Sequence, residues 1–223
     1  EQHGPQNPLG TDHLIAGALA EATAKRTGTV CLPVVPFGVS PHHRQFWGTI
    51  SVDPEVFKEY VRHVCLSLRY YGVKKVVVVN GHGGNANALS ELARELRERG
   101  IFLSVFQWWP ASGELLPDIF SPEERGHAAA EETSVNLAVH PRLVNMEKVL
   151  DEKPREPLAG ARGLVRWVFD TIDYTSSGVF GKASTASAEK GKKVFEAVVE
   201  ELAKHVKTLK GLKIEDLLPR PPA

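Results

Sequence analysis

Apolar and polar positions along this chain follow two rhythms. From Asp12 to Lys25 (DHLIAGALAEATAK) apolar residues recur at helical spacing, with Thr11 or Asp12 placed to cap the helix. Thr29–Val35 (TVCLPVV) is a short apolar run that reads as a buried strand. Pro54–Tyr71 returns to helical spacing, with Asp53 as N-cap and Pro54 at the first helical position. Lys74–Val79 (KKVVVV) is the clearest strand, and its β-branched run predicts burial on both faces. A helix is expected from about Ala86 to Glu98, a strand over Ile101–Trp108 and a helix within Arg125–Val139. Asp151–Phe180 is irregular, and Thr185–Leu209 is a long amphipathic helix with Lys and Glu on its outer face. The tail LLPRPPA reads as loose.

Strands alternating with helices predict an α/β sandwich with a mostly parallel sheet, whose sites form at the carboxyl ends of strands. The 223 residues contain no repeat and no low-complexity linker, so one domain over 1–223 is expected. A hydrophobic share of 42% supports a sizeable core. Lys plus Arg and Asp plus Glu both number 27, and this balance argues against nucleic acid or an anionic membrane as the partner. No apolar run approaches the roughly 18 residues of a membrane helix. Cys31 and Cys65 stand far apart, form no CxxC and read as small buried hydrophobes in a reducing compartment. A cytoplasmic location is the resulting expectation; no signal peptide is visible, although an upstream segment could have carried one.

Three stretches carry candidate chemistry. In VVVVNGHGGN a strand runs into a glycine turn and then a helix. Gly81, Gly83 and Ala86 fit G-x-G-x-x-A, but the acidic residue that a dinucleotide site needs about 20 residues on is missing, and there is no P-loop Lys-Ser/Thr pair. Three readings stay open at this turn: His82 as a metal ligand, a phosphate cradle, or a simple helix cap. In RGHAAAEETS, His127 and Glu131 are i and i+4 on a predicted helix, with Glu132 about 140° around from His127. Taken alone this is a solvated helix start, yet the three alanines leave room for another element to pack closely. In EQHGPQNPLGTD, Glu1, His3 and Asp12 form a carboxylate–imidazole–carboxylate set suited to Zn, Mn or Fe. The three stretches together supply the five or six ligands of a two-metal hydrolase. His42 and His43 line a pocket or lie on the surface. Of Trp108 and Trp109, one is expected to face the site and one the core.

In order along the chain, EQHGPQNPLGTD, GVSPHHRQFWGT, NGHGGN, HAAAEETS and GVFGKASTASAEKG resemble the motifs of the creatininase (creatinine amidohydrolase) family. The resemblance implies a three-layer α/β/α fold and two divalent metal ions, Zn, Mn or Fe. It implies that Glu1 and His82 bind one ion, that His3 binds the other, and that Asp12 bridges them. Glu132 matches the remaining carboxylate, with Glu131 in reserve. His127 faces the reacting bond, and His43, Trp108, Trp109 and Glu131 are candidates for the substrate pocket. Glu132 counts with His127 as catalytic.

The implied chemistry is attack of a metal-bridged hydroxide on a small amide of non-standard type, cyclic amide or formamide, with His127 protonating the leaving nitrogen. Creatinine amidohydrolase proper, a metallopeptidase on a short modified peptide and a non-catalytic nucleotide-binding module are the alternatives. Creatinine-cleaving members carry a Glu two residues after the His of the turn, where this chain has Gly84. The acid of the family's E-H pair is His42, the Pro of its F-P-G-T segment is Trp47, and the first Glu of its H-A-G-E helix is Ala130. The family pattern also places a strand before the EQHG loop, and it implies a homo-oligomer, a hexamer by resemblance.

Overall fold

The strongest strand signal is realised as β1 (Lys75–Asn80), which pairs in parallel with β2 (Phe102–Gln107). The computed structural model describes residues 1–158 and 167–218. In register, Val76 faces Leu103, Val78 faces Val105 and Val79 faces Phe106. Alternation then sorts these side chains onto two faces. Val76, Val78, Leu103 and Val105 pack on Cys65 of α2 (Pro54–Tyr70) and on Leu92 and Leu96 of α3 (Ala86–Glu98). Val79 and Phe106 turn the other way, onto Ile15 and Leu19 of α1 (Thr11–Thr27) and Val194 and Val198 of α7 (Ala188–Gly211). Helices therefore cover both faces of a parallel sheet, the α/β/α layering expected. The short helix α4 (Trp108–Leu115) follows β2 directly, and α5 (Ala130–Val139) packs along α7. One-turn helices α6 (Thr171–Tyr174) and α8 (Ile214–Leu217) complete the set. No helix among the described residues is long and apolar enough to cross a membrane.

Helix α2 begins as its sequence dictates: Asp53 Oδ1 accepts from the Glu55 and Val56 amides, and Pro54 occupies the first turn. Helix α1 does not. Its N-cap is Gly10, with no side-chain cap; the Thr11 hydroxyl donates back to the Pro8 carbonyl, and the Asp12 carboxylate is turned toward His3 and His82. A capping role loses there to a stronger charged partner.

The strand expected over Thr29–Val35 does not form. This stretch has no ladder partner among the described residues, and Val30 is 86% exposed. A strand exists only through pairing, so an apolar run without a neighbour stays outside the sheet. Val76–Val79 are half-buried rather than fully buried, since among the described residues β1 has a strand neighbour along one edge only. Cys65 is buried as expected, but Cys31, within the unpaired stretch, is exposed. The irregular character of 151–180 holds over its described part apart from the single turn of α6, and the loose tail falls mostly on residues 219–223, outside the described residues.

Candidate metal centre

His82 lies two residues beyond the carboxyl end of β1, where open α/β sheets collect their ligands. The turn that presents it is tied from both sides. Asn80 accepts from the His82 amide at 3.2 Å and donates to the His82 carbonyl at 2.8 Å, and Asn85 accepts from the Val39 amide at 2.9 Å. Gly84 leaves room for this packing, because a Cβ there would overlap the Val39 carbonyl oxygen and the His82 ring. The ring's Nε2 donates to the Val39 carbonyl at 3.0 Å, with the Ser40 hydroxyl at 3.2 Å. A carbonyl only accepts, so Nε2 carries a proton and Nδ1 looks inward. It faces Glu1 Oε2 at 3.1 Å and Asp12 Oδ2 at 3.3 Å.

His3 repeats the device from the opening loop. Its ring is fully buried, Nδ1 lies 3.2 Å from the Glu1 carbonyl, and Nε2 faces Asp12 Oδ1 at 3.1 Å and Glu132 Oε2 at 3.8 Å. Glu132 is steadied by the Ala128 amide at 2.6 Å. That amide is available because Ala128 adopts φ +56°, a left-handed conformation uncommon for alanine. Asp12 thus offers one oxygen to each imidazole. Three overlapping groups have ligand atoms within 4.8 Å of one another: Glu1, Asp12 and His82; His3, Asp12 and Glu132; and Glu1, His3 and His127.

Both Glu1 oxygens and His3 Nε2 are buried without an aligned hydrogen-bond partner among the described residues, although imidazole and carboxylate stand at ion-pair distance. Burial opposes a cation on His3, yet the Asp12, Glu132 and Glu1 carboxylates hold its pKa up at about 9. The same contest lifts His82 to about 10, through Asp12 and Glu1. Burial works against the Glu1 carboxylate too, but His82 holds it down at about 2, and Asp12 sits well below the usual carboxylate range between the two imidazoles. Glu132, buried and near Asp12 and Glu1, is pushed up to about 7.

His127 and His43 flank Glu1. Burial and the neighbouring His3 depress His127 to about 3, and burial together with His127 depresses His43 to about 2, so both are neutral. His127 Nδ1 is 3.7 Å from Glu1 Oε1 and its Nε2 donates to the Gln2 carbonyl at 2.8 Å. His43 Nε2 lies 3.4 Å from the same Glu1 oxygen.

The family model for creatininase, creatinine amidohydrolase, matches residues 1–206. The chain belongs to the creatininase family. It is 29% identical to the 3-dehydro-scyllo-inosose hydrolase of Thermotoga maritima, over 94% of this chain and 74% of that one. Identity to the mycofactocin precursor peptide peptidase of Mycobacterium tuberculosis is 33%, over 92% and 80%. Identity to the creatinine amidohydrolase of Pseudomonas putida is 29%, over 91% and 84%. A crystal structure of creatinine amidohydrolase superposes with a TM-score of 0.78 at 27% identity, covering 96% of this chain and 88% of that one. Related creatininase structures are described as Zn-Zn and Mn forms. The chain is accordingly a creatininase-family hydrolase.

Within this family member, the five expected ligand residues, His127 and His43 converge. Other expectations fail. His127 is not on the helix with Glu131: α5 starts at Ala130, so the expected i, i+4 face does not exist. Glu131 instead accepts from the Ser112 hydroxyl at 2.6 Å and pairs with Arg125 at 3.1 Å, away from the ligand groups. Trp108 is 1% exposed and lies in the main core, with Trp109 packed against the same cluster. The room left by the alanines is real, however. Residues 128–130 are fully buried under the 178–183 segment, where Phe180 donates to the His127 carbonyl at 2.8 Å and Ala130 to the Lys182 carbonyl at 2.9 Å. Sequence reasoning missed Gln2, which touches both flanking histidines. Its one signal was a buried-capable amide between two candidate ligands.

Proposed function

We propose that this protein is a dinuclear, metal-dependent hydrolase acting on a non-standard C–N bond of the cyclic amide or formamide type. The observation that carries the reading is Asp12, whose two oxygens face two imidazoles that are each tied on their far side to a backbone carbonyl. The donor set of carboxylates and imidazoles suits Zn, Mn or Fe, and the orphaned buried atoms of Glu1 and His3 fit a cation. Glu1 and His82 would hold one ion, His3 and Glu132 the other, and Asp12 both. When bound, such a pair lowers the pKa of water toward neutrality and polarises a carbonyl.

The chain's own residues supply orientation and proton transfer. The Val39 and Glu1 carbonyls fix His82 and His3, and the Ala128 amide fixes Glu132. His127, neutral with its Nε2 proton committed to the Gln2 carbonyl, turns the free Nδ1 inward. It takes the proton of the attacking water there and passes it to the leaving nitrogen.

Small-substrate names among the relatives support this class, including a formylamino-pyrimidine deformylase of Methanocaldococcus infernus at 26% identity over 92% of this chain and 86% of that one. Creatinine itself is disfavoured, since Gly84 stands where the creatinine-cleaving pattern carries a Glu. The relatives named peptidases favour a second reading, a metallopeptidase on a short modified peptide. Metal analysis followed by amine release from cyclic amides, formamides and short peptides tests both. Turnover of a non-peptide substrate supports the first reading, and cleavage confined to peptides replaces it with the second. No stoichiometric metal after reconstitution overturns both. The homo-oligomer implied by the family is read in the same preparation by light scattering.

A further inference from the structure

Gln2 is 5% exposed and lies between His43 and His127. The fixed backbone N–H of Gly4 sets the orientation of its amide. Oε1 accepts from the Gly4 N–H at 3.0 Å, while Nε2 lies 3.4 Å from the Gly178 carbonyl. Flipping the amide would set oxygen against carbonyl oxygen and NH₂ against N–H, losing both contacts. The nitrogen is therefore the atom that meets His43 Nδ1, at 2.8 Å. Nδ1 must accept, so His43 carries its proton on Nε2. That nitrogen faces Glu1 Oε1 at 3.4 Å and the Thr171 hydroxyl at 3.5 Å. The second close contact of the amide, His127 Nε2 at 3.1 Å, takes no proton from it, because that nitrogen already donates to the Gln2 carbonyl at 2.8 Å.

We propose that Gln2 is a positioning residue: its side-chain amide sets the proton of His43 on Nε2, so that the His43 N–H, and not a lone pair, faces the Glu1 carboxylate. The assignment rests on the metal-centre reading for its purpose, though not for its geometry. Outer partners of this kind hold a ligating carboxylate at the angle a cation needs. Gln2 thus acts on both flanks of the centre, through its side chain on His43 and through its main chain on His127.

Nitrogen-15 NMR of the metal-free protein, labelled at histidine, tests this directly. In the wild type, His43 should show a protonated Nε2 and an unprotonated Nδ1; the opposite tautomer overturns the proposal. Gln2→Leu removes the donor and should leave a tautomer mixture, and Gln2→Glu, which only accepts, should draw the proton to Nδ1. In both variants Zn²⁺ affinity, measured by chelator competition on protein shown to be folded by circular dichroism, should fall by about tenfold or more. An unchanged tautomer and unchanged Zn²⁺ affinity in Gln2→Leu would sink the assignment. If Gln2→Leu does not fold, Gln2→Glu carries the comparison and the wild-type spectrum still decides. A wild type that binds no Zn²⁺ defeats the metal-centre reading, while the tautomer readout judges Gln2 separately.

Discussion

His82 presents Nδ1 to Asp12 Oδ2 at 3.3 Å, while the other Asp12 oxygen stands 3.1 Å from a second imidazole, that of His3. One carboxylate so shared should fail differently from either histidine. Asp12→Ala is expected to abolish binding of both ions, whereas His82→Ala should remove one and weaken the other. Elemental analysis of reconstituted protein checks this, with about two ions per chain in the wild type. Equal loss in both variants would count against a bridging Asp12.

Gly84 sits against the Val39 carbonyl and the His82 ring. Gly84→Ala should therefore cost about 1–3 kcal/mol by overpacking and displace the ring from its backbone tether. Urea unfolding and metal content, measured together, should both report the damage. A variant with normal stability and normal metal would mean that the turn is looser than this packing implies.

Glu152 organises the segment that carries Gly178. It accepts from the Ser176 amide at 2.7 Å, the Ser177 amide at 2.8 Å and the Thr175 hydroxyl at 3.0 Å, and also from the Ser177 hydroxyl. Partial burial opposes its charge, but these donors hold its pKa down at about 2. A depressed carboxylate contributes stability that is present above its ordinary value near 4.5 and is lost as pH falls toward 2. Glu152→Gln should cost about 1–2 kcal/mol at neutral pH, discounted because the group is partly solvated. In denaturant titrations the gap to wild type should close between pH 4.5 and 2. A gap independent of pH would assign the loss to something other than the charge.

Trp108, at 1% exposure, lies in the main core cluster. Trp108→Ala should destabilise by about 3–5 kcal/mol, and Trp108→Phe by less, with metal content unchanged in folded protein. Loss of metal from a stably folded Trp108→Phe would return this residue to the site.

Much of the centre was legible because its ligands lie in short loops with strong local chemistry. Glu1, His3 and Asp12 fall within one glycine- and proline-rich loop, and His82 follows the least ambiguous strand. Asp53 and Pro54 likewise announced α2. What misled was treating neighbours in sequence as neighbours in space. His127 and Glu131 were put on one helix, but the positive φ of Ala128 breaks the chain's direction between them and sends Glu131 to Arg125. Thr29–Val35 has a strand's composition without a partner, and pairing is not written in a segment by itself. Gln2 escaped notice because its one signal, a place between Glu1 and His3, says nothing of the four contacts its amide makes.

Three of the inward-facing imidazoles share one economy. His3 leans on the Glu1 carbonyl, His82 on the Val39 carbonyl and His127 on the Gln2 carbonyl. No codon change can delete a peptide oxygen. The aim of these rings is thus insulated from drift in the side chains around them, leaving the surrounding walls free to diverge. Relatives that share about a third of their residues with this chain and carry different substrate names are what such a division of labour would leave behind.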